Sequence, residues 1–237
     1  MALPTINTPT YELEIPSTDE KIKYRPFLVK EEKILMIAME SENQKDIINA
    51  VKDIVSACTF GEVDILNMPM FDMEYIFLNI RAKSVGEISQ LKLLCPDDKE
   101  TFADVEIDLT EIAVQVSEGH TNKVELTDKM GIIMKYPSIK SFADSDISEI
   151  NTENMLDVIG SCILQIYDNG GEDIFYAKDS TKKELSDFIE QCNTKQFAEI
   201  QKFFDTMPRL THTVKVKNPK TKVESDVTLT GLNDFFA

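Results

Sequence analysis

The residues best suited to chemistry lie in two predicted hairpin turns. The first turn is Cys95-Pro-Asp-Asp98, and the second contains Asn218 and Thr221. A zinc ribbon places Cys-Pro-x-Cys in such a turn and needs four thiolate or imidazole ligands at fixed spacing. Here Asp98, Asn218 and Thr221 stand where the other thiolates would be needed. The sequence therefore predicts metal-free, ribbon-like hairpins held together by packing, with no zinc and no other cofactor.

The other candidates for metal binding or catalysis are weak. The segment Asp168-Asn-Gly-Gly-Glu-Asp173 lacks the ligand alternation and the distal Glu of an EF-hand, and we interpret it as a solvated turn. His120 and His212 lie in polar segments beside Thr residues, without the Ser or Cys arrangement of a nucleophile. No Gly-rich phosphate loop is present. We therefore predict no catalytic residue. The alternative is a hydrolase or metal-dependent enzyme in an unfamiliar fold, and metal analysis of the purified protein would detect the metal-dependent case.

Charge and hydropathy narrow the class of protein further. The 237 residues include 25 Lys plus Arg against 42 Asp plus Glu, which gives a formal net charge of −17. Because such a surface repels a phosphate backbone, nucleic-acid binding is disfavoured. No apolar run is long enough to span a bilayer, and no signal-peptide pattern occurs. Buried free thiols in a reducing cytoplasm are expected for the widely separated Cys58, Cys95, Cys162 and Cys192.

Apolar periodicity predicts hairpins and helices in residues 1–137. Tyr11, Leu13 and Ile15 alternate with acidic residues, which indicates a strand, and a second strand precedes a helix from about Lys30. That helix extends to about Cys58 with a break near residues 41–44. A further helix follows Pro69 and stops near Gly86. Short strands are expected at residues 91–95, 105–109, 112–116, 124–126 and 132–136.

Residues 138–237 are predicted to form a helical block with a terminal hairpin. Three helices are marked by the apolar residues of 156–166, 185–192 and 197–204. Thr181 and Glu184 have the spacing of a capping box, and Thr194 is the expected cap of the third helix. Strands are expected near 214–217 and 227–229. This last hairpin resembles the one at 92–107, which suggests two pseudo-repeated halves, with chance similarity between two Pro-containing turns as the alternative.

Together these elements predict an α+β fold, in which helical bundles have attached β-hairpins. We expect a first region at 1–137 with the N-terminal hairpin, helices and β-ribbon. A second region at 138–237 would contain the helical block and the terminal hairpin, and both regions could pack as one unit. The apolar positions of Tyr11–Ser41 are expected to form core, and no residue in this segment needs a chemical role.

Several segments resemble one known family. They are Pro-x-Tyr-Glu-Leu-x-Ile-Pro-Ser and Ile-Lys-Tyr-Arg-Pro-Phe-Leu-Val-Lys-Glu-Glu-Lys near the start, the helix Ile34–Ser41, residues 66–86, residues 203–210 and residues 229–236. The chain resembles the T4-type bacteriophage baseplate proteins, which are implicated in assembling the central hub of a contractile tail. The matching segments extend over nearly the whole chain and are mostly structural. The resemblance implies a non-enzymatic protein whose partners are other phage tail or baseplate proteins.

Two apolar groups are candidates for partner binding. Met68, Met70 and Met73 form either a partner groove or core, and core is favoured because exposed apolar patches are uncommon. The second group is the terminal apolar residues Leu232, Phe235 and Phe236. They either fold back onto the helices, which is the commoner use, or anchor a partner.

A basic segment is the third candidate. Arg209 to Lys222 contains no acid, and its exposed strand residues Lys215 and Lys217 are the ones most suited to a partner. The favoured explanation is that these Lys residues protect a strand edge against pairing with another chain. The alternative is docking against an acidic surface, including that of a second copy of this protein.

The resemblance leads to one main hypothesis for function and one alternative. The main hypothesis is an assembly chaperone that holds baseplate hub or tape-measure components in the cytoplasm of the infected host before they enter the tail. The alternative is a stoichiometric subunit of the virion baseplate hub. A homo-oligomer stays open in both, whereas nucleic-acid and membrane partners are not expected.

Overall fold

The computed structural model describes residues 6–41, 43–143 and 152–236. In chain order the strands are β1 (Tyr11–Glu14), β2 (Lys21–Tyr24), β3 (Ile88–Leu94), β4 (Phe102–Asp108), β5 (Ala113–Gln115), β6 (Lys123–Glu125), β7 (Gly131–Met134), β8 (Ile163–Asp168), β9 (Asp173–Tyr176), β10 (Arg209–Lys217) and β11 (Glu224–Thr230). The helices are α1 (Val29–Glu40), α2 (Gln44–Cys58), α3 (Met70–Val85), α4 (Ile139–Ala143), α5 (Thr152–Ser161), α6 (Lys182–Glu190), α7 (Thr194–Thr206) and α8 (Gly231–Phe236). This mixture of helices and small antiparallel sheets confirms the predicted α+β class.

The chain forms two compact units. The first consists of the chain up to Ile65, Phe71–Gln115 and the chain from Arg209 onward, and the second consists of Leu66–Met70 and Val116–Pro208. These units differ from the predicted division between residues 137 and 138. The reason is that β10 pairs with β5, with Arg209 opposite Gln115, so that the C-terminal hairpin joins the N-terminal segments. The second unit is therefore mostly an insertion between two paired strands of the first.

The opening hairpin of the first unit follows the predicted pattern. β1 and β2 pair antiparallel, with Tyr11 opposite Tyr24, and the side chains of Ile22 and Tyr24 are buried. The hairpin turn is held against α3 by Ser17, whose backbone N–H donates to the buried Asp72 carboxylate at 3.1 Å and whose hydroxyl donates to the same group. The hairpin is therefore fixed by its pairing and by a buried polar contact.

The predicted break between the first two helices is confirmed. α1 ends at Glu40, and the Asn43 side chain caps α2 by accepting the Lys45 N–H at 2.9 Å. Asn is a preferred N-cap residue because its oxygen satisfies a backbone donor that the helix leaves free. α2 buries the predicted apolar face, including Val51, Ile54, Val55 and Cys58.

Two hairpins and a short strand complete the first unit. β3 pairs with β4, and β10 lies between β11 and β5. β5 pairs only with Arg209–Thr211 of β10, so Lys215 and Lys217 lie in the part of the strand that has β11 as its one assigned neighbour, and protection of an edge by these Lys residues stays a prediction. Lys217 also forms an ion pair at 3.3 Å with Glu224 across the hairpin. The core of this unit includes Leu78, Leu91, Ile107, Leu109, Leu210, Val216, Leu229 and Phe235.

The second unit is a four-stranded antiparallel sheet packed with helices. The strand order is β6-β7-β8-β9. One face of the sheet, with Val124, Ile132 and Ile166 in register, shares a core with Ile159, Leu185, Ile189, Ile200 and Phe203 of α5, α6 and α7. Asp168 to Asp173 forms the turn between β8 and β9, as the sequence suggested.

Two local predictions in this unit are wrong. Residues 156–166 are not one helix, because α5 ends at Ser161 and β8 begins at Ile163. Short apolar runs with β-branched residues fit helix and strand patterns equally well, and here pairing with β7 decides. The cap of α7 is Asn193, which accepts the N–H groups of Lys195 and Gln196, and not Thr194. The Thr181–Glu184 capping box of α6 is confirmed.

Candidate protein-interaction surface

Of the helices that the structure describes, α1 exposes the most large apolar side chains. Only Glu31 and Ala38 of its twelve residues are buried. Ile34 to Met39 is a run of six apolar residues, and within it Met36 and Ile37 are each 57% exposed. The large exposed side chains at the start of the helix and in this run are Leu28, Val29, Ile34, Met36, Ile37 and Met39. We call these six residues the α1 surface.

The α1 surface corrects the expectation that the apolar positions of Tyr11–Ser41 are core. Ile15, Ile22, Tyr24 and Phe27 are buried as expected, but most apolar side chains of α1 are not. A helix that is apolar around most of its circumference normally has neighbours on several sides. Contiguous exposed apolar surface on a soluble protein commonly marks a binding site for another protein. α1 is therefore the main candidate interaction surface.

A buried ion pair fixes the start of α1. Arg25 Nη2 lies 3.1 Å from the Glu31 carboxylate, which also accepts the Leu28 N–H at 2.7 Å. Burial alone would raise the pKa of Glu31, but the hydrogen bonds from Arg25 and Leu28 outweigh it and lower the pKa. Because the carboxylate is charged and fully engaged, the helix can present its apolar side chains in a defined orientation.

The Met and C-terminal candidates are mostly buried. Met68 and Met73 are buried, which agrees with the favoured explanation that these Met residues form core. Met70 is half-buried, and its backbone N–H donates to the Pro137 carbonyl at 3.0 Å. Phe235 is fully buried in the core of the first unit, and Leu232 packs against that core. The C-terminal segment thus folds back, although the side chain of Phe236 lies outside the described residues.

The basic candidates have partners within their own hairpin. Lys215 lies opposite Asp226, and Lys217 forms the ion pair with Glu224. Both Lys side chains are exposed, so docking on an acidic partner stays a prediction. Their charges are balanced locally, which makes this strand a weaker candidate than α1.

The two hairpin turns that resemble zinc knuckles do come together. Asn218 Nδ2 donates to the Asp97 carboxylate at 2.9 and 3.1 Å, and the Thr221 hydroxyl donates to it at 2.5 Å. Asp98 and Asn218 each use a side-chain oxygen to accept two backbone N–H groups of their own turn. Hydrogen bonds from Asn218 and Thr221 lower the pKa of Asp97. The turns are therefore joined by a charged hydrogen-bond network.

The surroundings of the four cysteines and of His120 fit a structural role for these side chains. Burial raises the pKa of all four thiols, to about 11 for Cys58 and Cys162, so none is a ready thiolate nucleophile. The two ring nitrogens of His120 lie 2.9 Å from the Thr206 hydroxyl and 3.1 Å from the Tyr136 hydroxyl, and burial lowers its pKa. The part of the chain that the structure describes contains no cluster of three His, Cys, Asp or Glu residues suited to a metal ion.

No curated protein and no solved structure matches the chain. Among the described residues, no helix is long and apolar enough to cross a membrane.

A family model provides the identification. The model for the T4 bacteriophage base plate protein matches residues 8–237, which is nearly the whole chain. The match includes the opening hairpin, α1, both units and the C-terminal helix. Membership implies association with the phage tail baseplate and contact with other baseplate proteins. The chain belongs to the T4 bacteriophage base plate protein family.

Proposed function

We propose that this protein is a non-enzymatic assembly factor of the phage tail baseplate hub. In this role it acts as a chaperone that holds a hub or tape-measure component before that component enters the tail. The observation that supports the proposal most directly is the α1 surface, because an assembly factor needs an exposed apolar site that a partner can cover reversibly.

The charge distribution supports α1 as the docking element. Residues 21–58, which contain α1, include 7 Lys plus Arg and 6 Asp plus Glu. The rest of the chain includes 18 Lys plus Arg and 36 Asp plus Glu. A nearly neutral apolar helix in an acidic protein favours association through the helix itself. The remaining acidic surface repels other acidic proteins and keeps the free protein soluble. We therefore expect the partner to contribute an amphipathic helix to α1.

The alternative is a stoichiometric subunit of the virion hub. Both hypotheses use the same surface, and they differ in whether the partner is released. Quantitative mass spectrometry of purified virions separates them. Near absence of the protein from virions supports the chaperone, whereas a fixed copy number per tail contradicts the chaperone and supports the subunit.

Substitution of the α1 surface tests the docking site in either case. We expect Met36→Lys with Ile37→Lys to abolish co-purification of hub or tape-measure proteins from infected cells, because two charges would be desolvated in the apolar contact. The matched control is Phe102→Lys, since Phe102 is 59% exposed but lies on β4 of the same unit, away from α1 in sequence. Unchanged co-purification by the α1 variant would contradict the proposal.

A further inference from the structure

One side of α1 points away from the core of its unit. Glu31 and Ala38 lie on the inward side of the helix and are buried. Residues three or four positions apart share a helix face, and the spacing of the exposed residues 29, 33, 36 and 40 therefore gives one stripe, with residue 37 beside it. We call this stripe the outward face of α1, and it consists of Val29, Lys33, Met36, Ile37 and Glu40.

The other charged residues of α1 are engaged within their own chain. Glu31 forms ion pairs with Arg25 at 3.1 Å and with Lys30 at 3.3 Å. Glu32 is half-buried, and its charge opposes the burial that lowers the pKa of Arg81. These contacts leave Lys33 and Glu40 as the two charges that the outward face offers to a partner.

Lys33 and Glu40 give the outward face a direction. Lys33 lies in the first half of the helix, and Glu40 is its last residue. Seven residues separate them, which is about 10 Å along a helix, so they do not pair with each other in one chain. The helix dipole has the same order, positive at the start and negative at the end. The outward face is therefore complementary to a copy of itself that runs in the opposite direction.

We propose that the outward face of α1 packs antiparallel against the same face of a second copy of this chain. The two-fold axis passes between the levels of Met36 and Ile37, and these four apolar side chains surround it. In that register Lys33 lies level with Glu40 of the second copy, and symmetry repeats this pair. A parallel arrangement would place like charges side by side. The antiparallel one gives a closed dimer.

The net charge explains why copies associate through α1. The chain carries a formal charge of −17, so two copies repel one another over most of their surfaces. On the outward face one Lys and one Glu cancel, and the apolar side chains there can be covered without bringing net charge together. A strongly acidic or strongly basic partner gains nothing from this balance, whereas an inverted copy satisfies both charges.

The dimer has a consequence that rests on the proposed function. It covers the α1 surface while no partner is present, so a hub or tape-measure component must displace the second copy before it docks. The dimer itself is measured on purified protein. A monomeric wild type overturns the dimer and leaves the co-purification test intact. A dimer together with unchanged co-purification by the Met36→Lys, Ile37→Lys variant overturns the proposed function alone.

Sedimentation velocity of the purified full chain at about 0.15 M salt tests the proposal. We expect wild type to change from monomer to dimer between about 1 and 200 μM, because one pair of short helices forms a small interface. Met36→Lys should raise the dimer dissociation constant at least about tenfold, since it brings two desolvated charges to the axis. Phe102→Lys, with similar exposure on β4, is the control and should dimerise as wild type does.

A charge exchange makes the test specific for the antiparallel register. Lys33→Glu and Glu40→Lys should each weaken the dimer about threefold or more, and the double variant should restore it, because the pairs form between copies. Glu40→Lys is the sharper single variant, since it lowers the net negative charge and so reduces general repulsion. Its matched control is Glu190→Lys, the same change at the exposed last residue of α6, which should not weaken the dimer.

Three results would overturn the proposal, once circular dichroism has shown that the variants are folded. The first is a wild type that stays monomeric to 200 μM. The second is a Met36→Lys dimer of unchanged strength. The third is a double variant of Lys33 and Glu40 that dimerises no more strongly than either single variant.

Discussion

Two carboxylates in the first unit, one buried and one half-buried, differ in the direction of their pKa shift. Glu31 receives hydrogen bonds from Arg25 and Leu28 and its pKa is lowered. Glu74, on α3, accepts the Leu232 N–H, and burial outweighs this hydrogen bond and raises its pKa to about 7. Glu31 therefore stabilises the fold at higher pH, where it is charged, whereas Glu74 stabilises it at lower pH, where it is protonated. Each direction gives a prediction.

Substitution of Glu31 should destabilise the protein in a pH-dependent way. Because the folded pKa is lowered, the charged group contributes stability above its unfolded pKa of about 4.5, and this contribution is lost as the pH falls through the folded value. We expect Glu31→Gln to reduce the free energy of unfolding by about 1–3 kcal/mol at pH 7 and by less at pH 4. Urea denaturation at both pH values measures it. Glu40→Gln, at the exposed end of α1, is the control and should change little.

Substitution of Glu74 should have the reverse effect. A raised pKa means that the folded state binds the proton more tightly, so stability decreases as the pH rises from about 4.5 to about 7. Glu74→Gln keeps an acceptor for the Leu232 N–H and removes the charge. We expect the variant to be more stable than wild type at pH 8, by at most about 3 kcal/mol, and to be close to it at pH 4.5. Equal pH profiles of the two proteins in urea denaturation would contradict this assignment.

At the scale of elements, one carboxylate joins the turn between β3 and β4 to the turn between β10 and β11. Asp97 is the shared acceptor of Asn218 and Thr221 across the turns. We expect Asp97→Ala to lower the midpoint of thermal unfolding, because it removes charge-assisted hydrogen bonds that join the two turns. Thermal denaturation measures the change. Glu100→Ala in the same turn is the control, and an equal loss from both variants would show that Asp97 has no special role.

The sequence predicted most elements but not their exposure. Helical spacing located α2, α3, α6 and α7, since amphipathic faces produce a clear period. In Ile34–Met39 apolar residues occupy every position, so periodicity could not separate a buried face from an interaction surface. β9 was missed because its apolar residues number only three and follow a turn that ended the previous pattern. The unbroken apolar run itself, which is longer than one helical face requires, was the available sequence signal for the α1 surface.

At the scale of the whole molecule, the division of the chain into two units depends on pairing between strands that are far apart in the sequence. The sequence patterns did not predict this pairing. The similarity of the two hairpins at 92–107 and 215–229 suggested two consecutive halves. Both hairpins instead lie in the first unit, where Asp97 and Asn218 join their turns. The second unit is inserted between them. No local pattern reports which strands pair over such separations, because pairing depends on packing of the complete core.

The insertion leads to a prediction about independent folding. Gln115 and Arg209 are opposite one another in register, which is the spacing that a two-residue hairpin turn connects. We expect a variant in which Asn-Gly replaces residues 116–208, with Met68→Ser to avoid an exposed apolar side chain, to fold as the first unit alone. Circular dichroism should show cooperative thermal unfolding of this variant. A control that joins Gln115 to Thr213 lacks the buried Leu210 and the pairing of β10 with β5, so it should not fold cooperatively. A non-cooperative transition in the first variant would mean that the first unit requires the second for its stability.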